Sequence, residues 1–532
     1  MSGAVEGQVS RKVNIFELPA LRLRYATLSA KKEMPMPIFT PGRRWQPAYS
    51  PFKQESLGSK LMEDLEYMIK GPLFGCRMCG NCMLQETAFI CPMECPKGLR
   101  NGPCGGSTPE HCYVDKTRPC IWYKIFERSF MMGREERLLE VLPPLDWEKV
   151  GEETWKDVAA EVKKNGTGKV LKSIALNWGD NRWKTWELIF RNVRQPEWWQ
   201  GDAEYHAPKY EAPVSNLEKQ LKAGEFVVAC EIAPPLSMST KKLVENIKLV
   251  KPYVTAINFT DNASATPRMT SWACSKFAIE NGAEPVMQIA ARDRTRASLQ
   301  GEIIGATAMG VRNVLCVTGD SPVLAPRPRG RMDINDMDAI QMLWILRRMR
   351  DEGHYLDGRE IKFPPKFFLG AAASPFASDP KFQALREQKK VNAGAQFFQT
   401  NLVYDVERME TWLNELTKRN ILDKVFIMVG ITPLKSAKMT HYMTKVPGVF
   451  VPESIIKRMD DADAKGGPPA AQEEGVKIAL EIVTKVKALH GHGIHGLHIM
   501  PVGWEDIVPR IVTEADLLPK GFVKPEAQKI PA

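Results

Sequence analysis

FVVACEI (226–232), YVTAINF (253–259), EPVMQIA (284–290) and RNVLCVT (312–318) are short apolar runs rich in β-branched residues. Each is followed by a stretch whose apolar positions repeat at helical spacing. This alternation is that of parallel strands joined by helical crossovers. It continues through KFFLGA (366–371), AQFFQ (395–399), KVFIMVG (424–430) and HGLHIM (495–500). Helices are predicted over Thr240–Val250, Thr295–Met309, Asp336–Arg350 and Val406–Lys418, among others. Eight strands and eight helices within about 300 residues predict an α/β chain built on a (β/α)8 barrel, not a doubly wound sheet. No GxGxxG follows the first strand, and no GxxxxGKS or GxxxxGKT occurs. Neither a dinucleotide fingerprint nor a P-loop is supported.

Outward from the barrel (213–532) the chain changes texture. Residues 1–70 form a Pro-containing, mildly basic extension with one amphipathic stretch, Leu57 to Lys70. Residues 71–135 are rich in cysteine. Residues 136–212 hold seven of the thirteen tryptophans, Trp147, Trp155, Trp178, Trp183, Trp186, Trp198 and Trp199. That aromatic density predicts a packed connector, not a flexible linker. Of the 532 residues, 44% are hydrophobic and 26% charged, which excludes wholesale disorder. No window is apolar enough for a membrane span, and the N-terminus lacks the pattern of a signal peptide. The expected location is the cytoplasm. The net charge of +10 is dispersed. It argues against a nucleic-acid arm and leaves open an acidic small molecule, an acidic protein partner or plain solvated surface.

Of eleven cysteines, eight follow one another as Cys76-x2-Cys79-x2-Cys82-x8-Cys91-x3-Cys95-x8-Cys104-x7-Cys112-x7-Cys120. A reducing compartment argues against disulfides here. CxxCxxC offers three thiolates to a cubane, and a fourth from elsewhere completes it. Zinc more often uses two separated CxxC pairs. Eight thiolates serve two four-ligand sites, predicting at least one 4Fe–4S cluster, the second site being another cluster or Zn2+. The isolated Cys230, Cys274 and Cys316 read as core. HGHGIHGLH (490–498) matches no zinc spacing and reads as a loop entering a strand.

At a barrel mouth, chemistry gathers at the C-terminal strand ends. Glu231 is placed at the end of the first strand, Asp320 at the end of the fourth and Asn401 after the sixth. A carboxyl ending an apolar strand, under a bound ring, can be raised in pKa to act as a general acid.

GCRMCGNCMLQETAFICPMECPKGLRNGPCGGS (75–107), Cys112 and CIWYKIFERS (120–129) closely resemble the cysteine-rich domain named for the methylenetetrahydrofolate reductase C-terminus. The same stretch is similar to the iron–sulfur subunit that accompanies the reductase in acetogenic bacteria. ACEIAPP (229–235), NFTDNASA (258–265), VTGDSP (317–322) and VNAGAQFFQTNLVYDVE (391–407) resemble the flavin-dependent methylenetetrahydrofolate reductases themselves. The chain then looks like a fusion of both subunits.

The resemblance implies a flavin, FAD or FMN, and a tetrahydrofolate derivative as substrate. It makes Glu231 the acid that opens the bridged aminal, and Asp320 the carboxylate beside flavin and pterin. It puts Gln288 where some relatives carry a flavin-contacting His, and Lys390 on a lysine that reaches the cofactor phosphate. It sets Asn401 in place of a pterin-binding Gln. Thr318 replaces an Arg that helps hold the FAD diphosphate, and Ala373 replaces a Tyr near the flavin. Thr260 and Asn262 line the flavin in this reading. The cluster domain implies electrons from a ferredoxin-like or other electron-transfer protein, in Wood–Ljungdahl one-carbon metabolism. A homo-oligomer or larger redox complex is left open. Two rivals are a methyltransferase barrel serving a corrinoid protein and a non-catalytic iron–sulfur assembly module.

Overall fold

The computed structural model describes residues 57–150, 153–177, 183–190, 196–325, 335–377, 379–520 and 522. Most of the N-terminal extension and Trp178 lie outside them. The described residues fall into two compact units that part between Glu204 and Tyr205, with 335–337 returning to the first.

The second unit is a closed barrel of eight parallel strands in sequence order. They are β1 (Val227–Ile232), β2 (Ala256–Phe259), β3 (Pro285–Ala290), β4 (Asn313–Val317), β5 (Phe368–Ala373), β6 (Phe397–Leu402), β7 (Phe426–Ile431) and β8 (Gly496–Ile499). Pairing of Val227 with Gly496 closes the ring. Alternate residues point inward. Val227, Ala229, Ala256, Val286, Leu315, Phe368, Phe397 and Met428 form an apolar floor, plugged by Leu217 and Leu221 of the helix Asn216–Lys222. Phe368 and Phe397 stack with centroids 4.7 Å apart. Gly370 makes that stack possible, since a Cβ there would lie 2.3 Å from the Phe397 ring.

Three boundaries differ from expectation for local reasons. The helix predicted from Asp336 begins at Ala339, because Asp338 accepts from the Ile340 and Gln341 N–H groups and closes a capping box with Gln341. β6 runs on to Leu402, so Asn401 lies within the strand, not after it. There the Thr400 hydroxyl accepts from Gly430 N and Val403 N donates to Gly430 O, which continues the β6–β7 ladder. Asp320 lies three residues beyond β4, in the loop, since pairing ends at Val317.

The first unit is held by its aromatic residues. Phe74 meets Trp186 and Phe190 edge-on at 5.2 and 5.5 Å. Trp147, Trp155 and Trp183 pack on a core that includes Cys79, Cys91, Leu145 and Val158. Residues after 135 thus complete the core of the cysteine region, and the boundary expected at 212 falls at 204. Among the described residues no helix is long and apolar enough to cross a membrane.

Candidate functional site

Above the apolar floor, the inward positions of the barrel turn polar. Glu231 on β1 accepts a hydrogen bond at Oε2 from Gln288 Nε2 on β3, at 3.0 Å. Asn258 and Gln399 exchange two amide hydrogen bonds across the interior, at 2.5 and 3.1 Å. His498 on β8 brings its Nε2 to 3.8 Å from Glu231 Oε2. Burial pushes the Glu231 carboxyl up to about 7, with the Gln288 bond opposing. Its side chain still keeps 22% of its surface open, enough for contact from the mouth. A carboxyl held near neutrality is suited to giving and regaining a proton at physiological pH.

Around the rim, the loop after β2 is strained. Asn262, Ser264 and Ala265 have φ of 46°, 56° and 54°, in the left-handed region that costs non-glycine residues energy. The strain is offset by ties to its neighbours. Ser264 N donates to Asp320 Oδ2 at 2.7 Å. Asp261 pairs with Arg294 and accepts from Ala290 N at 2.8 Å. The buried Arg292 donates to the carbonyls of Asn262 and Asp320, both at 3.1 Å, while its own N–H donates to Thr318 O. The loops after β2, β3 and β4 are one bonded unit with the Asp320 carboxylate in it. The Thr260 hydroxyl, just beyond β2, is buried without a partner. An orphaned hydroxyl at the mouth fits a bound polar ring, and so fits the flavin that the sequence resemblance implies.

The structure therefore groups Glu231 with Gln288, and Asp320 with Asn262 and Thr318. It places two expected residues elsewhere. Asn401 spends its amide on Pro447 O and Leu402 N, at 3.0 and 2.9 Å. Lys390 is buried behind β5, bonded to Ala372 O and paired with Glu387 at 2.6 Å. Burial, aided by Arg386, pushes its ammonium down to about 8. The sequence reading missed Arg292 and His498. The first has no signal beyond its place after a strand. The second is legible from the alternation in HGLHIM. The rest of that histidine run does enter a strand, with His490 against Phe226 and His495 against Phe426.

In the first unit the eight thiols divide in sequence order. Cys76, Cys79, Cys82 and Cys91 line one cavity, and Cys95, Cys104, Cys112 and Cys120 line another. None of the eleven cysteines is in a disulfide. Burial pushes Cys76 and Cys95 up to about 12, and the other thiols of the same set add to it. Opposing this, Cys76, Cys82, Cys91, Cys95 and Cys120 each accept a hydrogen bond from the N–H two residues on. Such N–H···S bonds favour thiolate. The buried Lys70, paired with Glu66 at 2.6 Å, donates to Cys82 Sγ at 3.6 Å. Gly80 supplies the turn between Cys79 and Cys82 at φ 67°, where a Cβ would strike Lys149 O at 1.7 Å. Among the described residues no three His, Cys, Asp or Glu side chains converge as a single metal ion needs. The thiols ring a volume instead.

The family model described as methylenetetrahydrofolate reductase matches residues 216–516, and one described as methylene-tetrahydrofolate reductase C terminal matches 58–148. Methylenetetrahydrofolate reductase 2 of Schizosaccharomyces pombe is 25% identical over 235 residues, 42% of this chain and 34% of the relative. The probable methylenetetrahydrofolate reductase (NADPH) of Caenorhabditis elegans is 24% identical over 210 residues, 38% and 28% respectively. The chain spans about a third of the length of the curated relatives it matches. An uncharacterized protein from Clostridium thermocellum that binds two copies of 5-methyl-5,6,7,8-tetrahydrofolic acid covers 57% of this chain and 97% of its own, at 15% identity. Its TM-score is 0.40, and a likeness that weak carries no inference.

Proposed function

Because the chain belongs to the methylenetetrahydrofolate reductase family, we propose that it interconverts 5,10-methylenetetrahydrofolate and 5-methyltetrahydrofolate with the aid of a flavin. The observation that carries this reading is the Glu231 carboxyl, held near neutrality on β1 and still open to the mouth. Methylenetetrahydrofolate is a bridged aminal, and a proton from Glu231 opens its five-membered ring to a cationic iminium at N5. Gln288 steadies the carboxylate left behind. Asp320, fixed by Ser264 and the bonded rim, sets negative charge where the cation forms. Thr260, Asn262 and Thr318 would hold the flavin, which when bound supplies the hydride that makes the methyl group.

The thiol sets fit iron–sulfur clusters better than zinc. Four zinc-bound sulfurs meet one ion at about 2.3 Å, whereas Cys76, Cys79, Cys82 and Cys91 line a cavity, and three of them, Cys76, Cys82 and Cys91, accept backbone N–H bonds, as cluster ligands do. Cys76, Cys79, Cys82 and Cys91 would hold one 4Fe–4S cluster, and Cys95, Cys104, Cys112 and Cys120 a second. Such clusters supply one-electron transfer, which suits a ferredoxin-like donor. The test is an anaerobic assay of methylenetetrahydrofolate reduction by protein reconstituted with FMN or FAD, iron and sulfide. The reading predicts turnover with a reduced iron–sulfur protein, and turnover about 10²–10⁴-fold slower in Glu231→Gln at equal flavin content. NADH matching the protein donor would remove the electron-entry part.

A further inference from the structure

His498 is 3% exposed, and neither Nδ1 nor Nε2 makes a hydrogen bond. Burying both imidazole nitrogens unpaired is unfavourable, and such a group is kept for a partner that forms later. Backbone pairing fixes where it sits. His498 pairs with Ala229, and Glu231 lies two residues further along β1, on the same inward face. Its Nε2 stands 3.8 Å from Glu231 Oε2, so a small carboxyl rotation brings the two to hydrogen-bond distance.

We propose that His498 is a positioning residue for Glu231: its neutral imidazole donates Nε2–H to the carboxylate once the acid has given up its proton. Burial pushes the imidazole down to about 3, so it serves as an uncharged donor and not as a second acid. The other titratable groups described around this corner are the Cys230 thiol, on the outer side of β1, and Glu505 beyond it. Gln288 is the uncharged partner from β3. The role rests on the proposed reaction, but its consequence for Glu231 does not need turnover to be read.

The test is infrared titration of the carboxyl band that Glu231→Gln removes, in wild type, His498→Phe, His498→Asn and His498→Gln. Gln places its amide N–H where Nε2 stands, and Asn is too short to reach. The proposal predicts a midpoint about one pH unit higher in the Phe and Asn variants, and the wild-type midpoint restored by Gln. The alkaline limb of the kcat profile moves with it. Should His498→Phe fail to fold, Asn against Gln gives the same comparison. An unchanged midpoint in a folded Phe or Asn variant would overturn the role. If the protein turned over no folate, the band would still titrate, so failure of the reaction and failure of this inference are separate results.

Discussion

Gln288 donates its amide N–H to Glu231 Oε2 at 3.0 Å, linking β3 to β1 one layer above the apolar floor of the barrel. This bond opposes the burial that raises the carboxyl. Glu231→Gln removes the proton donor and keeps the shape. It should lower kcat by about 10²–10⁴ while flavin binding holds. Gln288→Leu keeps the donor but loses its stabiliser, so the alkaline limb of the rate profile should shift upward. Steady-state kinetics across pH, with flavin content measured on each variant, check both.

The same carboxyl links stability to pH. Its folded value of about 7 stands above the ordinary 4.5, so protonation favours the fold. The contribution is fully present below pH 4.5 and is lost as the pH rises through about 7. Against Glu231→Gln, wild type should lose up to about 3 kcal/mol of unfolding free energy over that window. Solvent at the partly open side chain trims the figure. Denaturant unfolding of both proteins at pH 4.5 and above 7 measures it, and parallel pH profiles would contradict it.

The barrel was legible because its strands are buried on both faces and read as apolar runs. FVVACEI, EPVMQIA and RNVLCVT match β1, β3 and β4 to within two residues at each end. The end of β6 was not legible, because Gln399, Thr400 and Asn401 are polar and look like a loop until the Thr400–Gly430 bond is seen. His498 was hidden in a run of histidines, most of which pack against rings or lie on the surface. The reach of Asn401 and Lys390 depends on partners far along the chain, Pro447 and Ala372, which spacing does not reveal. The division of the thiols was likewise hidden, since CxxCxxC leaves the source of its fourth ligand open.

Asn258 and Gln399 satisfy each other inside the barrel. Gln399→Leu should therefore strand the Asn258 amide and cost about 1–3 kcal/mol. The double variant Asn258→Leu/Gln399→Leu should recover part of that loss. Chemical denaturation through the full double-mutant cycle reads the coupling, and simple additivity would mean the pair is not a unit.

The thiol division makes a stoichiometric prediction. With one 4Fe–4S cluster per set, wild type reconstitutes about eight irons. Cys79→Ser and Cys104→Ser should each lose about half of it, and the double variant nearly all. Gly80→Ala should mimic Cys79→Ser, because its Cβ clashes with Lys149 O beside the first set. Iron analysis and anaerobic spectra test this. Loss of all iron from either single variant would mean the sets do not bind independently.

The most direct test of the central claim is anaerobic addition of 5-methyltetrahydrofolate to the flavin-loaded protein, followed by its visible spectrum. The account predicts bleaching of the oxidised flavin band in wild type, and bleaching about 10²–10⁴-fold slower in Glu231→Gln carrying the same flavin. A wild-type protein that holds flavin but stays unbleached would contradict it.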